Sequence, residues 1–219
     1  MKSIYITLLT IVFFTISCNS NTSTKEVAHH EKLTQEQLDK YETAYFASGC
    51  FWCVEAIFES VKGVKEVVSG YAGGKAETAN YQLVSAGRTD HAEAVKVYYD
   101  PKVVSYKTLV KVFFGSHDPT TLNRQGPDAG RQYRSAIFYK NAKEKQIVNS
   151  YINQLKKDKV FSGEITTEVA KYTAFYDAEA YHQDYEAKHP NNGYIRNVSI
   201  PRLKRFQKKF PELLKKEAH

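Results

Sequence analysis

The chain is poor in cysteine, and that scarcity settles several questions. Its 219 residues include three cysteines, Cys18, Cys50 and Cys53, and none follows Cys53. A zinc site built on Cys50 and Cys53 needs two more ligands. No second cysteine pair supplies them, and His182 and His189 lie at wide spacing, so no metal is expected. Tryptophan is scarcer still: the single one, Trp52, stands inside the cysteine pair. There is no internal repeat, no low-complexity tract and no nucleic-acid reader motif, so a nucleic-acid partner is not expected. The one long, mostly apolar run, Ile4–Ile16, has thirteen residues. That is short of the roughly 20 that span a bilayer.

What is present suits one ordinary domain with extras. Hydrophobic residues make up 42% and charged residues 25%, enough for a core without staples. Sixteen tyrosines and twelve phenylalanines favour an aromatic-lined pocket. The net charge of +7, concentrated in the last twenty residues, says little about a partner.

Lys2 followed by Ile4–Ile16 has the form of a secretory signal. Ser17 precedes Cys18, and a polar stretch follows, as in a bacterial lipoprotein signal cleaved before Cys18 and acylated on its thiol. A plain secretory signal is the alternative. The expected organisation is a signal peptide over 1–17, a lipid-anchored polar tether over 18–41, a catalytic domain over 42–200 and a basic C-terminal tail or helix over 201–219. The tether can hold a short helix over "LTQEQLDKY". The protein is expected to be exported, in the cell envelope, anchored to a bacterial membrane through Cys18, and monomeric.

Strands are expected at "TAYFASG", "VKEVVSGYAGG", "HAEAVKVYYD", "RSAIFYK" and, with a turn, "ITTEVAKYTAFYDAE". Helices are expected at "FWCVEAIFESV", "SYKTLVKVFFGSH", "NAKEKQIVNSYINQLKKD" and "AEAYHQDYEAKHP", with "DPTTLNRQGPDAGRQY" a long loop. The mixed order implies an α+β fold, a single-domain sandwich of a mixed β-sheet with helices. The basic "PRLKRFQKKFPELLKKEAH" reads as a solvated helix or tail, or as a surface for anionic lipid.

Val54, Ile57, Phe58 and Val61 recur at helical spacing, so Cys50 falls where a strand hands over to a helix N-terminus. The helix dipole there is expected to lower its pKa toward a nucleophilic thiolate. Cys53, one turn on, is close enough to form a disulfide with it. So short a loop adds little stability, which points to redox chemistry; a buried pair without a role is the plain alternative. Phe51 and Trp52 can wall a pocket for a small polarisable group such as a thioether methyl, or can be ordinary core.

"GCFWCVE", Gly49–Glu55, resembles the signature of the peptide methionine sulfoxide reductase A family, of the subgroup whose second thiol lies inside the motif. "VVSGYAGG", "NYQLVSAGRTDHAEAVKVYYDP", "FFGSHDPTTLNRQGPDAGRQYRSAIFY" and "FYDAEAYHQDY" continue the likeness in family order. The resemblance implies the family's ferredoxin-like α+β fold and thiol-dependent reduction of methionine (S)-sulfoxide, free or in proteins, as repair after oxidative stress. It implies that Cys50 attacks the sulfoxide sulfur, that Phe51 and Trp52 hold the substrate methyl, and that Glu93 donates a proton to the oxygen. Tyr81 and Tyr133 would donate hydrogen bonds to that oxygen, and Asp128 would support the site. Cys53 would resolve the sulfenic acid as a disulfide, and a thioredoxin-like thiol, not a bound cofactor, would reopen it. Taken alone, Glu93 is equally an outward-facing strand carboxylate, and both tyrosines are ordinary packing residues. Two rival functions are an exported thiol–disulfide oxidoreductase, which needs neither Glu93 nor Tyr81, and a non-catalytic redox-sensing lipoprotein.

Overall fold

The computed structural model describes residues 33–216; the expected signal peptide, Cys18 and the first part of the expected tether lie outside them. The short helix α1 (Gln35–Leu38) is closed by a capping box between Thr34 and Gln37, and Leu38 is buried. The tether expected to run to residue 41 therefore ends earlier, because Leu38 has apolar surface to bury.

Four strands and two helices make the frame: β1 (Glu42–Ser48), α2 (Phe51–Glu59), β2 (Val64–Ala72), β3 (Ala92–Tyr99), α4 (Tyr106–Gly115) and β6 (Ser135–Tyr139). A third, short helix, α3 (Tyr81–Ser85), lies between β2 and β3 and begins where the Asn80 side chain accepts from Leu83 N–H. The four strands pair antiparallel in the order β6-β1-β3-β2. This β-α-β-β-α-β succession in that order is the ferredoxin-like sandwich, as expected.

Side-chain alternation divides the sheet. Phe46, Val95, Val97 and Ile137 face the helices and share a core with Val54, Ile57, Phe58, Leu109 and Phe113. Phe46 stacks on Phe58 at 4.9 Å and on Phe113 at 5.5 Å. The opposite face is small: Ala47, Ala72, Ala92, Ala94 and Ala136. Those alanines let a chain segment cross close over the sheet. Tyr172 stacks on Tyr45 at 4.2 Å, and Phe175 lies 5.6 Å from the same ring.

That crossing corrects one expectation. "ITTEVAKYTAFYDAE" is two strands, not one. β7 (Glu168–Lys171) pairs parallel to β6 at one edge, and β8 (Phe175–Asp177) pairs antiparallel to β2 at the other. Gly70 makes room for the second pairing: a side-chain carbon there would sit 2.4 Å from the Phe175 ring and from Tyr176 O. The "long loop" likewise holds a small ribbon, β4 (Arg124–Gln125) with β5 (Asp128–Ala129), folded around a left-handed Gly126. Helix α5 (Ala142–Lys157), capped by Asn141, packs through Val148. The expected helix over "AEAYHQDYEAKHP" is a 3-10 turn, Ala180–His182, followed by α6 (Tyr185–Lys188).

The C-terminal segment is not a solvated tail. A π turn, Ile195–Ser199, runs into α7 (Ile200–Lys209), where Arg202 and Phe206 are buried four residues apart. Leu214 forms a bridge with Val61. Apart from Arg202, its basic residues Lys204, Arg205, Lys208 and Lys209 mark the outer face of an amphipathic helix whose inner face belongs to the core, so the domain does not end at 200. Among the described residues, no helix is long and apolar enough to cross a membrane.

Candidate active site

Gly49 turns the chain out of β1 with φ +89°, and a side-chain carbon there would come within 2.7 Å of Gln125 Cβ. Only glycine suits both constraints. Cys50 follows as the N-cap of α2, with its thiol not spent on capping and 6% exposed. Phe51 occupies the first helical position. Its N–H, one of the donors every helix leaves unpaired, is taken by Glu93 Oε2 at 3.1 Å. Glu93 reaches it because residues 93, 95 and 97 share the helix-facing side of β3. It is an inward carboxyl, 2% exposed. Burial raises its pKa, the charges of Asp128 and Cys53 add to that, and the Phe51 N–H only partly offsets them; the result is about 8.

The two thiols are reduced and buried. Burial pushes the Cys50 thiol well above its usual value, helped by the hydrogen bond and charge of Cys53 and by Glu93. The expected low-pKa thiolate at Cys50 is therefore corrected: a helix terminus contributes a partial charge, whereas burial, with Cys53 beside it, opposes ionisation more strongly. The ionised form is shifted onto Cys53. The Cys50 thiol donates to it and Arg202 attracts its charge, and despite burial its pKa falls to about 6.

The aromatic pair forms walls with fixed orientation. Trp52 stacks on Tyr185 at 3.8 Å and 9°, and its indole N–H donates to His182 Nδ1 at 3.2 Å. That bond sets the neutral His182 tautomer with its proton on Nε2, and burial keeps the ring neutral by lowering its pKa. Phe51 lies 5.0 Å from His182 and stacks 6.5 Å from Tyr81. Burial and the charges of Glu93 and Cys50 hold the Tyr81 hydroxyl protonated up to about 12, and Tyr133 is raised by the same causes. Both hydroxyls are thus neutral donors beside the thiol and the acid.

Asp128, on β5, is drawn in by Tyr194, whose hydroxyl donates to its Oδ2 at 2.6 Å and stands 3.7 Å from Cys53 Sγ. Seven of the residues expected at the site, Cys50, Phe51, Trp52, Cys53, Tyr81, Glu93 and Asp128, are linked through these contacts; Tyr133 feels the charges of Glu93, Cys50 and Asp128, and Cys18 lies outside the described residues. Sequence reasoning missed Tyr194, Arg202, which was set aside with the C-terminal tail, and Glu179, which accepts from Tyr71 O–H at 2.7 Å and Tyr81 N–H at 2.9 Å. It weighed His182 only as a metal ligand. Among the described residues one acidic trio, Glu55, Glu59 and Asp184, gathers oxygens within 4.8 Å, and Lys188 pairs with Asp184 at 3.0 Å.

A buried dithiol, a carboxyl held neutral beside it, and neutral hydroxyl donors among packed aromatic rings define a thiol-dependent oxidoreductase. The comparisons make this specific. A model of the family peptide methionine sulfoxide reductase matches residues 42–214. The chain is 49% identical over 178 residues to peptide methionine sulfoxide reductase MsrA 2 of Synechocystis sp., covering 81% of this chain and 83% of the relative. It is 47% identical over 174 residues to MsrA of Acinetobacter baumannii, covering 80% and 99%. Among solved structures it resembles reduced Mxr1 from Saccharomyces cerevisiae, with TM-score 0.64 and 34% identity over 69% of this chain and 87% of that one. Methionine sulfoxide reductase A of Corynebacterium diphtheriae aligns with TM-score 0.62 and 37% identity, over 69% and 76%. The chain belongs to the peptide methionine sulfoxide reductase family. It is an oxidoreductase that reduces methionine sulfoxide with electrons from thiols.

Proposed function

We propose that the chain reduces the S epimer of methionine sulfoxide, free or in proteins, with Cys50 as nucleophile, Glu93 as acid and Cys53 as resolving thiol. The observation that carries this division of roles is Glu93: a carboxyl 2% exposed, retaining its proton to about 8, beside the Cys50 thiol. A sulfoxide oxygen leaves sulfur only when protonated. An exposed carboxyl, ionised at neutral pH, has no proton to give. The substrate methyl lies between Phe51 and Trp52, and the oxygen accepts from Tyr81 and Tyr133 while Glu93 protonates it. Cys50 sulfur attacks the sulfoxide sulfur and takes over its oxygen as a sulfenic acid, leaving the thioether. The proton of the Cys50 thiol restores Glu93. Cys53, one turn away, then displaces water from the sulfenic sulfur to form the disulfide. A thioredoxin-like dithiol reopens it by exchange. The thiol–disulfide oxidoreductase reading leaves the buried acid and both tyrosines without a task.

Cellular placement belongs to the same proposal: export, acylation at Cys18, and repair in the cell envelope. The signal-like Ile4–Ile16 and the small residue before Cys18 support it. Expression of the full chain beside Cys18→Ser, followed by membrane fractionation, tests it; equal soluble fractions would overturn the anchor.

The chemistry is tested with separate S and R substrates and dithiothreitol. Turnover of S alone, abolished by Cys50→Ser, is the expected result. Cys53→Ser should complete one turnover, accumulate sulfenic acid and lose recycling by thioredoxin. Failure with both epimers alongside intact disulfide exchange would favour the oxidoreductase.

A further inference from the structure

The His182 ring, 1% exposed, is where three aromatic side chains of the site meet. Its centroid lies 4.3 Å from Tyr81, 5.0 Å from Phe51 and 5.7 Å from Trp52. Nδ1 accepts the Trp52 indole N–H at 3.2 Å, so the proton of the neutral ring stands on Nε2. Among the described residues that nitrogen has no hydrogen-bond partner; Glu179 Oε2 stands 3.9 Å away. A buried donor left unpaired is a cost, and a histidine packed for stability alone would not carry it. The ring keeps its place because the chain on either side of it is fixed.

The fixing is done by residues 179–185. Gln183 ties this run to β2. Its amide oxygen accepts from Ser69 N–H at 2.9 Å and its amide nitrogen donates to Ser69 O at 2.9 Å, the two bonds that a residue of a neighbouring strand would make. Asp184 N–H donates to Glu55 on α2 at 3.2 Å. From this footing two arms reach the site. Glu179 is the first: Oε1 accepts from Tyr81 N–H at 2.9 Å, one of the unpaired donors at the start of α3, and Oε2 accepts from Tyr71 O–H at 2.7 Å. His182 and Tyr185 are the second. One takes the indole N–H of Trp52 and the other covers the indole face at 3.8 Å, so the ring is held in both direction and plane.

We infer that Glu179 and His182 are positioning residues that set the choice between sulfoxide epimers: one anchored run of chain fixes Trp52, the wall for the methyl, against Tyr81, the donor to the oxygen. This rests on reading the chain as a reductase of the S epimer with Trp52 and Tyr81 in those roles. A sulfoxide sulfur is a pyramid carrying methyl, oxygen and the side-chain methylene. Once methyl and oxygen have fixed places and Cys50 faces the sulfur, the methylene has one way out. In the R epimer two of the three substituents are exchanged, so either the methyl leaves its wall or the oxygen leaves its donors. Discrimination of this kind requires the two places to be fixed relative to each other. Two places that moved independently would follow the substrate and accept both hands.

The test compares the full chain with Glu179→Gln, His182→Leu and His182→Asn, using separate S and R methionine sulfoxide substrates and dithiothreitol. R binding is also read as inhibition of S turnover, so a slow R reaction still gives a ratio. Trp52 is the single tryptophan, and its fluorescence reports the wall directly. His182→Leu removes the acceptor. It should shift the Trp52 emission and lower the preference for S over R by roughly tenfold, through KM for S more than through kcat. His182→Asn keeps an acceptor near the place of Nδ1 and should restore most of both. Glu179→Gln keeps the shape but turns an amide NH2 toward one of its two donors. It should lower the preference while leaving the Trp52 emission in place, and it carries the test alone if leucine does not fold. Folded variants that lose rate on both epimers by the same factor overturn the inference, because the run then supports the fold and nothing more. A parent that reduces both epimers equally overturns the S assignment beneath it. An S-selective parent with equally selective variants overturns Glu179 and His182 alone.

Discussion

At the scale of the residue, two pKa values bound the working range. Glu93 donates only while protonated, so the reduction step should fall as pH rises through about 8. Cys53 attacks only as thiolate, so resolution should fall as pH drops through about 6. Single-turnover methionine formation, which isolates the first step, should therefore keep only the alkaline limb of the steady-state profile's two. Glu93→Gln removes the proton and keeps the shape. It should reduce the first-turnover rate by about 10²–10⁴-fold and flatten its alkaline limb. A glutamine variant with an unchanged profile would assign the acid elsewhere. Glu93 was readable in part: strand alternation gives two faces, and only the neighbouring strands and α2 decide which one is buried. The Cys50 thiol was misjudged, because a helix terminus is visible in a sequence and the number of atoms packed around a sulfur is not.

At the scale of the element, α2 carries a cost in pH stability besides its chemistry. Glu55, one turn past the thiols, is 2% exposed, and burial, with Glu59 and Asp184 nearby, lifts its carboxyl to about 9. Asp184 N–H donates to it at 3.2 Å without compensating. The folded pKa lies above the unfolded one of 4.5, so folded protein holds an extra proton between 4.5 and about 9. The stabilisation is complete below 4.5 and is lost as pH rises toward 9. Thermal melts at pH 6 and pH 8 should show Glu55→Gln losing less stability than the parent, by on the order of 2 kcal/mol. Identical pH slopes would mean that Glu55 is ionised when folded.

At the scale of the whole molecule, the site is assembled from β1, α2, β3, the β4–β5 ribbon, the 175–194 crossing and α7. Its integrity therefore depends on the C-terminal segment. Phe206 is 1% exposed, and Phe210 lies against it at 5.5 Å. Phe206→Ala should destabilise the fold by about 3–5 kcal/mol, measured by denaturant unfolding. A chain ending at residue 200 should fail to fold or lose the Cys53 environment. A stable, active chain of that length would return the segment to the status of a tail.

By itself the sequence determined the αβ order, the handover from strand to helix at Cys50, the aromatic walls and the family likeness. These rest on local patterns: residue spacing of two or of three to four, glycine at a left-handed turn, and contiguous motifs. Only the tertiary structure decided that one stretch serves both sheet edges, that Tyr194 returns to Cys53 and Arg202 to the turn before Cys50, and that Glu93 is buried against α2. Pairing, burial and electrostatic potential are sums over neighbours distant in the chain, so no window of sequence contains them.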